Sequence, residues 1–329
     1  MINKDNVLMD QLTQYFDNIC DQTSRFDPAW LAEKRKQAIK EASKRGLPKK
    51  TDENWKYLSL SEFNKINFQT STSQTGFNPK DFPVLQSKTV RDSLSIVFVN
   101  GVFNAPLSKL SELPQGILMG PIGALEDKEH TTFESALHLE YETENPFYYL
   151  NTALFEEGSF IEIGPSVVLD KPITILYLTS NQTNPSITHP RNIIVAQKNS
   201  QATVIEMFYG NSENHSCTNV VTSLVLKENS KLNHYTVQNQ NQNNYHFGVV
   251  QSSQDPSSRL TSYSYAFGSK IHRQDLDIEL NHSGIEAKLY GLYVGSESQQ
   301  LDHHIRVDHL KPNASSDILY KGIMMDESR

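Results

Sequence analysis

Two cysteines in 329 residues, Cys20 and Cys217, leave no room for a disulfide framework or a Cys-x-x-Cys metal site, because neither has a second thiol near it in sequence. Both are read as buried or inert thiols. No run of about 18 uncharged apolar residues is present to span a bilayer, and residues 1–10 lack the apolar stretch of a secretory signal. A cytoplasmic protein with no membrane partner is expected, and the sequon-like triplets at Asn214, Asn281 and Asn313 carry no weight. Positive charge is also scarce: the formal net charge of -8 argues against a surface for nucleic-acid phosphates. Several catalytic motifs are missing as well. There is no Gly-x-x-x-x-Gly-Lys-Ser/Thr loop to cradle a triphosphate, no His-Glu-x-x-His, no Gly-x-Ser-x-Gly and no dinucleotide glycine fingerprint after a strand.

What is present divides the chain in three. Residues 1–66 read as helical, with Leu8, Leu12, Tyr15, Phe16 and Ile19 at helical spacing. A second helix follows, with Asp27 as N-cap, Pro28 in the first turn and Gly46 as the stop. Its apolar side is Trp30, Leu31, Ala38, Ile39 and Ala42, and Lys34, Arg35, Lys36, Lys40, Lys44 and Arg45 are read as a solvated basic face. Residues 67–93, rich in Ser, Thr, Gln, Asn and Pro, read as a linker. From 94 to 329 the pattern is β-rich, opening with a strand, turn and strand over 95–103 in which Gly101 supplies the positive φ. A short helix is expected over 131–141.

Beyond Pro146 strand patterns recur with little else, at 159–163, 173–179, 192–196, 202–208, 219–226, 231–237, 245–250, 259–266, 274–280, 286–294, 300–309 and 318–324. A dozen strands without intervening helices exclude a doubly wound α/β sheet. Runs such as Val220-Val221-Thr222-Ser223-Leu224-Val225-Leu226 mix alternation with β-branched stretches, as walls buried along one side require. The fold class expected is mainly β, a parallel β-helix from about residue 146, with a sandwich as the alternative. Repetition is too loose to count coils. The amide run from Gln238 to Asn244 suits a turn, either an exposed loop or stacked amides bonded between coils.

Three of eleven histidines fall in the alternating run Leu301-Asp302-His303-His304-Ile305-Arg306-Val307-Asp308-His309. On one strand His303 and His309 share a face but lie about 20 Å apart at about 3.3 Å per residue, and His303 and His304 point to opposite faces. They cannot chelate one metal. His272 and His282 are conceivable partners from a neighbouring coil, since adjacent strands lie about 4.8 Å apart. Leu301, Ile305 and Val307 are assigned to the core and His304, Arg306 and Asp308 to a polar outer face.

Several blocks together resemble one family. Gly46-Leu47-Pro48 followed by Glu53-Asn54-Trp55-Lys56-Tyr57 is similar to the amino-terminal signature of the SufD branch of the SufB/SufD family of iron–sulfur cluster assembly proteins. Phe98-Val99-Asn100-Gly101-Val102-Phe103, Pro190-Arg191-Asn192, Val204-Ile205-Glu206, Gly291-Leu292-Tyr293, Leu301-Asp302-His303, Val307-Asp308-His309 and Leu319-Tyr320-Lys321-Gly322 resemble its later blocks, in order. His304 stands where the family usually has a small hydroxyl residue. The resemblance implies a right-handed β-helix and a non-catalytic scaffold that pairs with a SufB-like scaffold and a SufC-like ATPase. It implies no cofactor bound by this chain alone, the iron–sulfur cluster being assembled by the complex. Candidates for a partner-facing surface are His304, Arg306, His309 and Tyr320. In the family the β-helix continues past the Tyr-Lys-Gly block to a cluster-associated histidine and to the helices that bind the ATPase. This sequence stops six residues after Ile323, so a carboxy-terminally truncated chain, poorly soluble alone, is expected and no catalytic or cluster-ligand residue is carried over. Alternatives are a SufB-like subunit, a cytosolic β-helical carbohydrate-active enzyme using Asp302, Asp308, Asp317 or Glu286, and a structural solenoid.

Overall fold

The computed structural model describes residues 7–23, 27–70, 74, 76–125, 127–137 and 143–329. From Ile173 on, the long strands pair in parallel with the next strand but one, so alternate strands build two sheets, of nine and eight strands among the described residues. Ile173–Thr179, Gln201–Gly210, Lys231–Gln240, Arg259–Ala266, Glu286–Gly295 and Ser315–Met324 lie side by side in the eight-stranded sheet. Arg191–Ala196, Ser216–Leu226, Asn244–Gln254, Ile271–Leu280 and Gln300–His309 do so in the other. This is the expected parallel β-helix, with about six turns. From Ile173 on, residues that stack from one turn to the next are 26 to 31 apart in sequence.

A recurring corner sets that period. Ser166, Asn199, Asn229, Ser257, Gly284 and Asn313 all have φ between 57° and 75°, one at the same bend of each successive turn. The amide of Ser166 donates to Lys198, that of Asn199 to Glu228, that of Asn229 to Pro256 and that of Ser257 to Ser283, so each corner hangs on the one above it. Asn, Ser and Gly are residue types that tolerate or locally compensate the left-handed region. The amide run expected to be either a loop or a stack belongs to the stack: Gln238, Gln240 and Asn244 are buried. Gln238 Nε2 donates to Ser269 Oγ at 2.6 Å and Gln240 Nε2 to Thr218 Oγ1 at 3.1 Å.

The first turn is closed by antiparallel strands. Leu94–Val99 turns through Asn100 (φ 49°) and Gly101 (φ 81°) into Val102–Phe103, and Ile117–Pro121 pairs antiparallel with Ser159–Ile163. At the other end of the sheets lie Gln300–His309 and Ser315–Met324, and Ile318, Leu319, Ile323 and Met324 of the latter are exposed. Helices Val7–Thr23 and Ala29–Arg45 pack through Leu8, Leu12, Phe16, Ala38 and Ile39, with Trp55 and Phe63, against Tyr245, Phe247 and Ile271 on the outer face of the nine-stranded sheet.

Local expectations fail where tertiary contacts overrule them. Asp27 makes no cap; Pro28 occupies the N-cap and Asp27 instead accepts from Arg35 Nε at 2.8 Å. Arg35 leaves the basic face it was assigned to. It is buried, donates to the carbonyls of Ala153 and Phe155, and covers the Phe155 ring. The helix expected over 131–141 runs Asp127–Leu137, and 138–141 lie outside the described residues, as does the side chain of Cys20. Helix Pro146–Leu154 lies in a region read as strands alone: it is short and buried on nearly every side, although Asn145, which caps the Phe147 amide, and Pro146 form a start signal. Between residues 67 and 93, Gln69–Thr70 pairs with Ser186–Thr188, and Phe82, Val84 and Val90 are buried against the eight-stranded sheet.

Candidate functional site

The strand Gln300–His309 separates two polar environments. Its outward residues Asp302, His304 and Arg306 face the helical region, while Leu301, His303, Ile305 and Val307 face the lumen. His304 and Arg306 line a cleft of about 960 Å³ whose opposite wall is formed by Arg45, Asn54, Trp55 and Tyr149.

Arg273, one rung below Asp302, holds the base of the cleft. Its guanidinium bonds to Asp302 and to Asp275, donates to the Asn54 carbonyl at 2.8 Å, and lies 4.5 Å over the Trp55 ring. Asn145 donates to the other oxygen of Asp275. Burial pushes the Asp275 carboxyl up, although Arg273 beside it acts in the opposite sense. Burial likewise disfavours the charge on Arg273, but Asp275 and Asp302 outweigh it and hold the guanidinium above its ordinary range. The blocks around Trp55 and Asp302, some 250 residues apart in sequence, are thus fastened by one buried arginine. His304 Nδ1 lies 3.7 Å from Asp275, and Arg306 Nε donates to Asp277 at 2.7 Å. Both His304 and Arg306 keep nearly two fifths of their side-chain surface exposed, 39% and 38%.

Inside the lumen a file of rings runs along the solenoid. Phe98 stacks on Tyr177 at 4.9 Å and Tyr177 on Phe208 at 5.1 Å. Phe208 meets His246 edge-on at 4.8 Å, His246 stacks on His272 at 5.1 Å, and His272 lies 5.3 Å from His303. His303 then sits 5.0 Å from Tyr293 and 5.3 Å from Tyr320. The last two tyrosines interlock through register: Gly291 faces Tyr320 and Tyr293 faces Gly322. A Cβ on Gly291 would sit 2.1 Å from the Tyr320 ring, and one on Gly322 would sit 2.2 Å from that of Tyr293. Each glycine is there to admit a neighbour's ring. Burial lowers the imidazoles of His246 and His303 to about 3 and about 4, and that of His272 well below its ordinary value.

A second polar group occupies the same lumen nearer the middle. Glu206 accepts from His234 Nε2 at 2.7 Å and from Asn192 Nδ2 and Thr222 Oγ1 at 2.9 Å each, and His234 Nδ1 lies 3.2 Å from Ser262 Oγ. Every member is buried and bonded, which makes the group a satisfied core network rather than an accessible nucleophile.

Of the four surface candidates, only His304 and Arg306 come together. His309 is exposed at the strand end and bonded to Ser316 at 2.9 Å, and Tyr320 turns its ring inward with its hydroxyl buried. His272 lies beside His303 with its ring tilted at 47°, whereas His282 lies exposed on a bend. The carboxylates considered for glycan chemistry do not share a groove. Asp302 and Asp308 lie about 20 Å apart along their strand at about 3.3 Å per residue, and Asp317 and Glu286 belong to the other sheet, engaged by Tyr290 and by Lys288. Cys217 is buried in the apolar packing and its thiol is pushed well above its usual value by burial. Among the described residues no group of three His, Cys, Asp or Glu has the geometry to hold a metal ion. Sequence reasoning missed Arg273, Asp275 and Asn145, because a charged residue on a strand reads as solvent-facing until the helical region is seen to cover it.

Comparison with known families places residues 6–175 on the SufBD protein N-terminal region and residues 177–329 on the SufBD core domain of the SUF system for FeS cluster assembly. The chain is 25% identical over 306 residues to an iron–sulfur cluster assembly SufBD family protein of Synechocystis, covering 89% of this chain and 66% of that protein. It is 22% identical over 295 residues to the iron–sulfur cluster assembly protein SufD of Escherichia coli, with the same two coverages. A SufBD family protein of Staphylococcus epidermidis is 23% identical over 326 residues, 93% of this chain and 68% of that one. The chain spans about two thirds of the length of these curated relatives.

Proposed function

Because the chain belongs to the SufB/SufD family, we propose that it acts as a SufD-type scaffold subunit in iron–sulfur cluster assembly, holding partners in place rather than carrying out chemistry of its own. The observation that carries this reading is the match of both family regions along nearly the whole chain, on a β-solenoid whose family blocks converge at Arg273 and at the His303–Tyr320 pair. A fastened, largely satisfied framework suits a scaffold. The buried Cys217 thiol is a poor sulfur acceptor, so thiol ligands for a cluster are assigned to a SufB-like partner. Nucleotide hydrolysis is assigned to a SufC-like ATPase. The cluster is cargo of the complex, and this chain binds no cofactor alone. His304 and Arg306 are proposed to face a partner, since they are the half-exposed members of an otherwise buried ionic group. A cytoplasmic location is proposed with the pathway; no helix among the described residues is long and apolar enough to cross a membrane.

The test is co-expression of the full-length protein, affinity-tagged, with SufB-like and SufC-like proteins from the same genome. Recovery of both partners with the tag is expected, and Arg306→Glu should reduce that recovery. A full-length protein that retains its fold and captures neither partner would sink the assignment.

A further inference from the structure

The histidine file carries an inference that stands apart from cluster assembly. A neutral imidazole offers one donor and one acceptor, and a buried polar atom left unpaired bears the full desolvation of that group. His246 satisfies one nitrogen, its Nδ1 lying 3.0 Å from Gln240 Oε1. A carboxamide oxygen can only accept, so Nδ1 carries the proton and Nε2 presents a bare lone pair. That Nε2, both ring nitrogens of His272, both of His303 and the Tyr320 hydroxyl are buried without a hydrogen-bond partner. The rings cannot satisfy one another. His246 and His272 are stacked with an interplanar angle of 17°, so their nitrogens lie in nearly parallel planes and do not aim at each other.

We propose that this stretch of the lumen holds a file of water molecules hydrogen-bonded to His246 Nε2, to the ring nitrogens of His272 and His303, and to the Tyr320 hydroxyl. The spacing suits water. Successive ring centroids are 5.1 and 5.3 Å apart, so waters beside the rings, each at about 2.8 Å from its partners, can link one rung to the next. Metal does not suit it, because a shared first-row ion needs nitrogens at about 2.0–2.1 Å and no group of three His, Cys, Asp or Glu among the described residues has that geometry. Buried water of this kind makes two to four bonds to polar groups that would otherwise be stranded, whereas apolar cavities stay dry. The file runs from the Gln240 amide to the Tyr320 hydroxyl. No such line exists beside Phe98, Tyr177 and Phe208, whose rings offer the single hydroxyl of Tyr177, already bonded to Asn192 at 2.6 Å.

A high-resolution crystal structure of the protein above pH 7 tests the proposal directly. Ordered solvent within hydrogen-bonding distance of His246 Nε2 and of at least one nitrogen each of His272 and His303 is expected; a lumen without solvent density beside these rings overturns it. The thermal midpoint of His272→Phe gives an independent reading. In a wet lumen phenylalanine interrupts the file and strands His246 and His303, lowering the midpoint by several degrees, whereas in a dry one it removes two stranded nitrogens. A midpoint equal to or above that of the parent overturns the proposal, and if the variant fails to fold the crystallographic result decides.

Discussion

The first turns of the solenoid and its last turns share one backbone repeat and differ in what fills it. Around Phe98, Ile161, Ile163, Ile175 and Ile194 the lumen is apolar, the edge is closed by antiparallel strands, and tight packing does the stabilising. Around His246, His272 and His303 the same ring file continues in imidazoles, and the outer strand carries exposed Ile318, Leu319 and Ile323. Leu276, Ile278, Leu280 and Leu289 keep the later turns together, yet three ring positions that could hold phenylalanine hold histidine. Polar groups in a lumen lower the margin of stability unless fully paired, so their presence marks where this molecule departs from the sequence that packing alone would choose. The contrast teaches that polar groups in the earlier and middle turns are paired with one another, as around Glu206, whereas the imidazoles of the later turns leave ring nitrogens without protein partners.

That contrast can be broken or sharpened by mutation. The largest effect is expected from Phe208→Ala, at the junction of apolar and imidazole rings, which should cost about 3–5 kcal/mol in denaturant unfolding by leaving a cavity against Tyr177. A cost below about 1 kcal/mol would show that the apolar stack is not what holds the early turns. Arg273→Ala should cost about 3 kcal/mol, because it strands the buried Asp275 beside Asp302. Amide exchange should also quicken over residues 53–63, which Arg273 ties down through Asn54 and Trp55. Adding Asp275→Asn should return part of the loss. Gly291→Ala should cost about 1–3 kcal/mol by driving a methyl into the Tyr320 ring, and Tyr320→Ala in the same chain should relieve the clash. Lys198→Ala, on an exposed pair with Glu228 at 2.8 Å, should change stability by less than about 0.5 kcal/mol and serves as the control for both halves.

Much of this was legible in the sequence. Alternation placed nearly every strand from Ser159 to Met324, and it put His303 and His304 on opposite faces of one strand, where they are. The number of turns was not legible. The left-handed corner is filled by Ser166, Asn199, Asn229, Ser257, Gly284 and Asn313, three residue types at uneven intervals that satisfy one backbone requirement. Pairing across turns was hidden for the same reason: His246 and His272 are remote in sequence from His303 and adjacent only once the coil is wound. Helix Pro146–Leu154 escaped because at nine residues, with Phe147, Tyr148, Tyr149 and Leu150 in one run, its sequence also suits a short buried strand. Arg35 was placed on a solvated face and Arg273 was not singled out, because charge alone gives no sign of burial, whereas each is buried on backbone carbonyl oxygen, an aromatic face and a carboxylate.

Acid separates the two halves most directly. His246, His272 and His303 have folded-state values below the ordinary 6.5, so the unfolded chain binds more protons between about pH 4 and 6.5. Their contribution is therefore neutral above 6.5 and becomes increasingly unfavourable as the pH falls below it. His189, in an earlier turn and lowered to about 3 by burial, acts in the same direction. Glu157, at the entry to the first turn, acts the other way: burial raises its carboxyl to about 7, so protonation below that pH favours the folded state. Native-state hydrogen exchange resolved strand by strand at pH 7.5 and 5.5, corrected for intrinsic rates, measures the balance. Strands Ile271–Leu280 and Gln300–His309 are predicted to lose protection on acidification while Leu94–Val99 and Ile173–Thr179 retain it. Uniform loss across all four, or loss that begins in the first turns, would contradict the contrast between the phenyl and imidazole ends of the ring file.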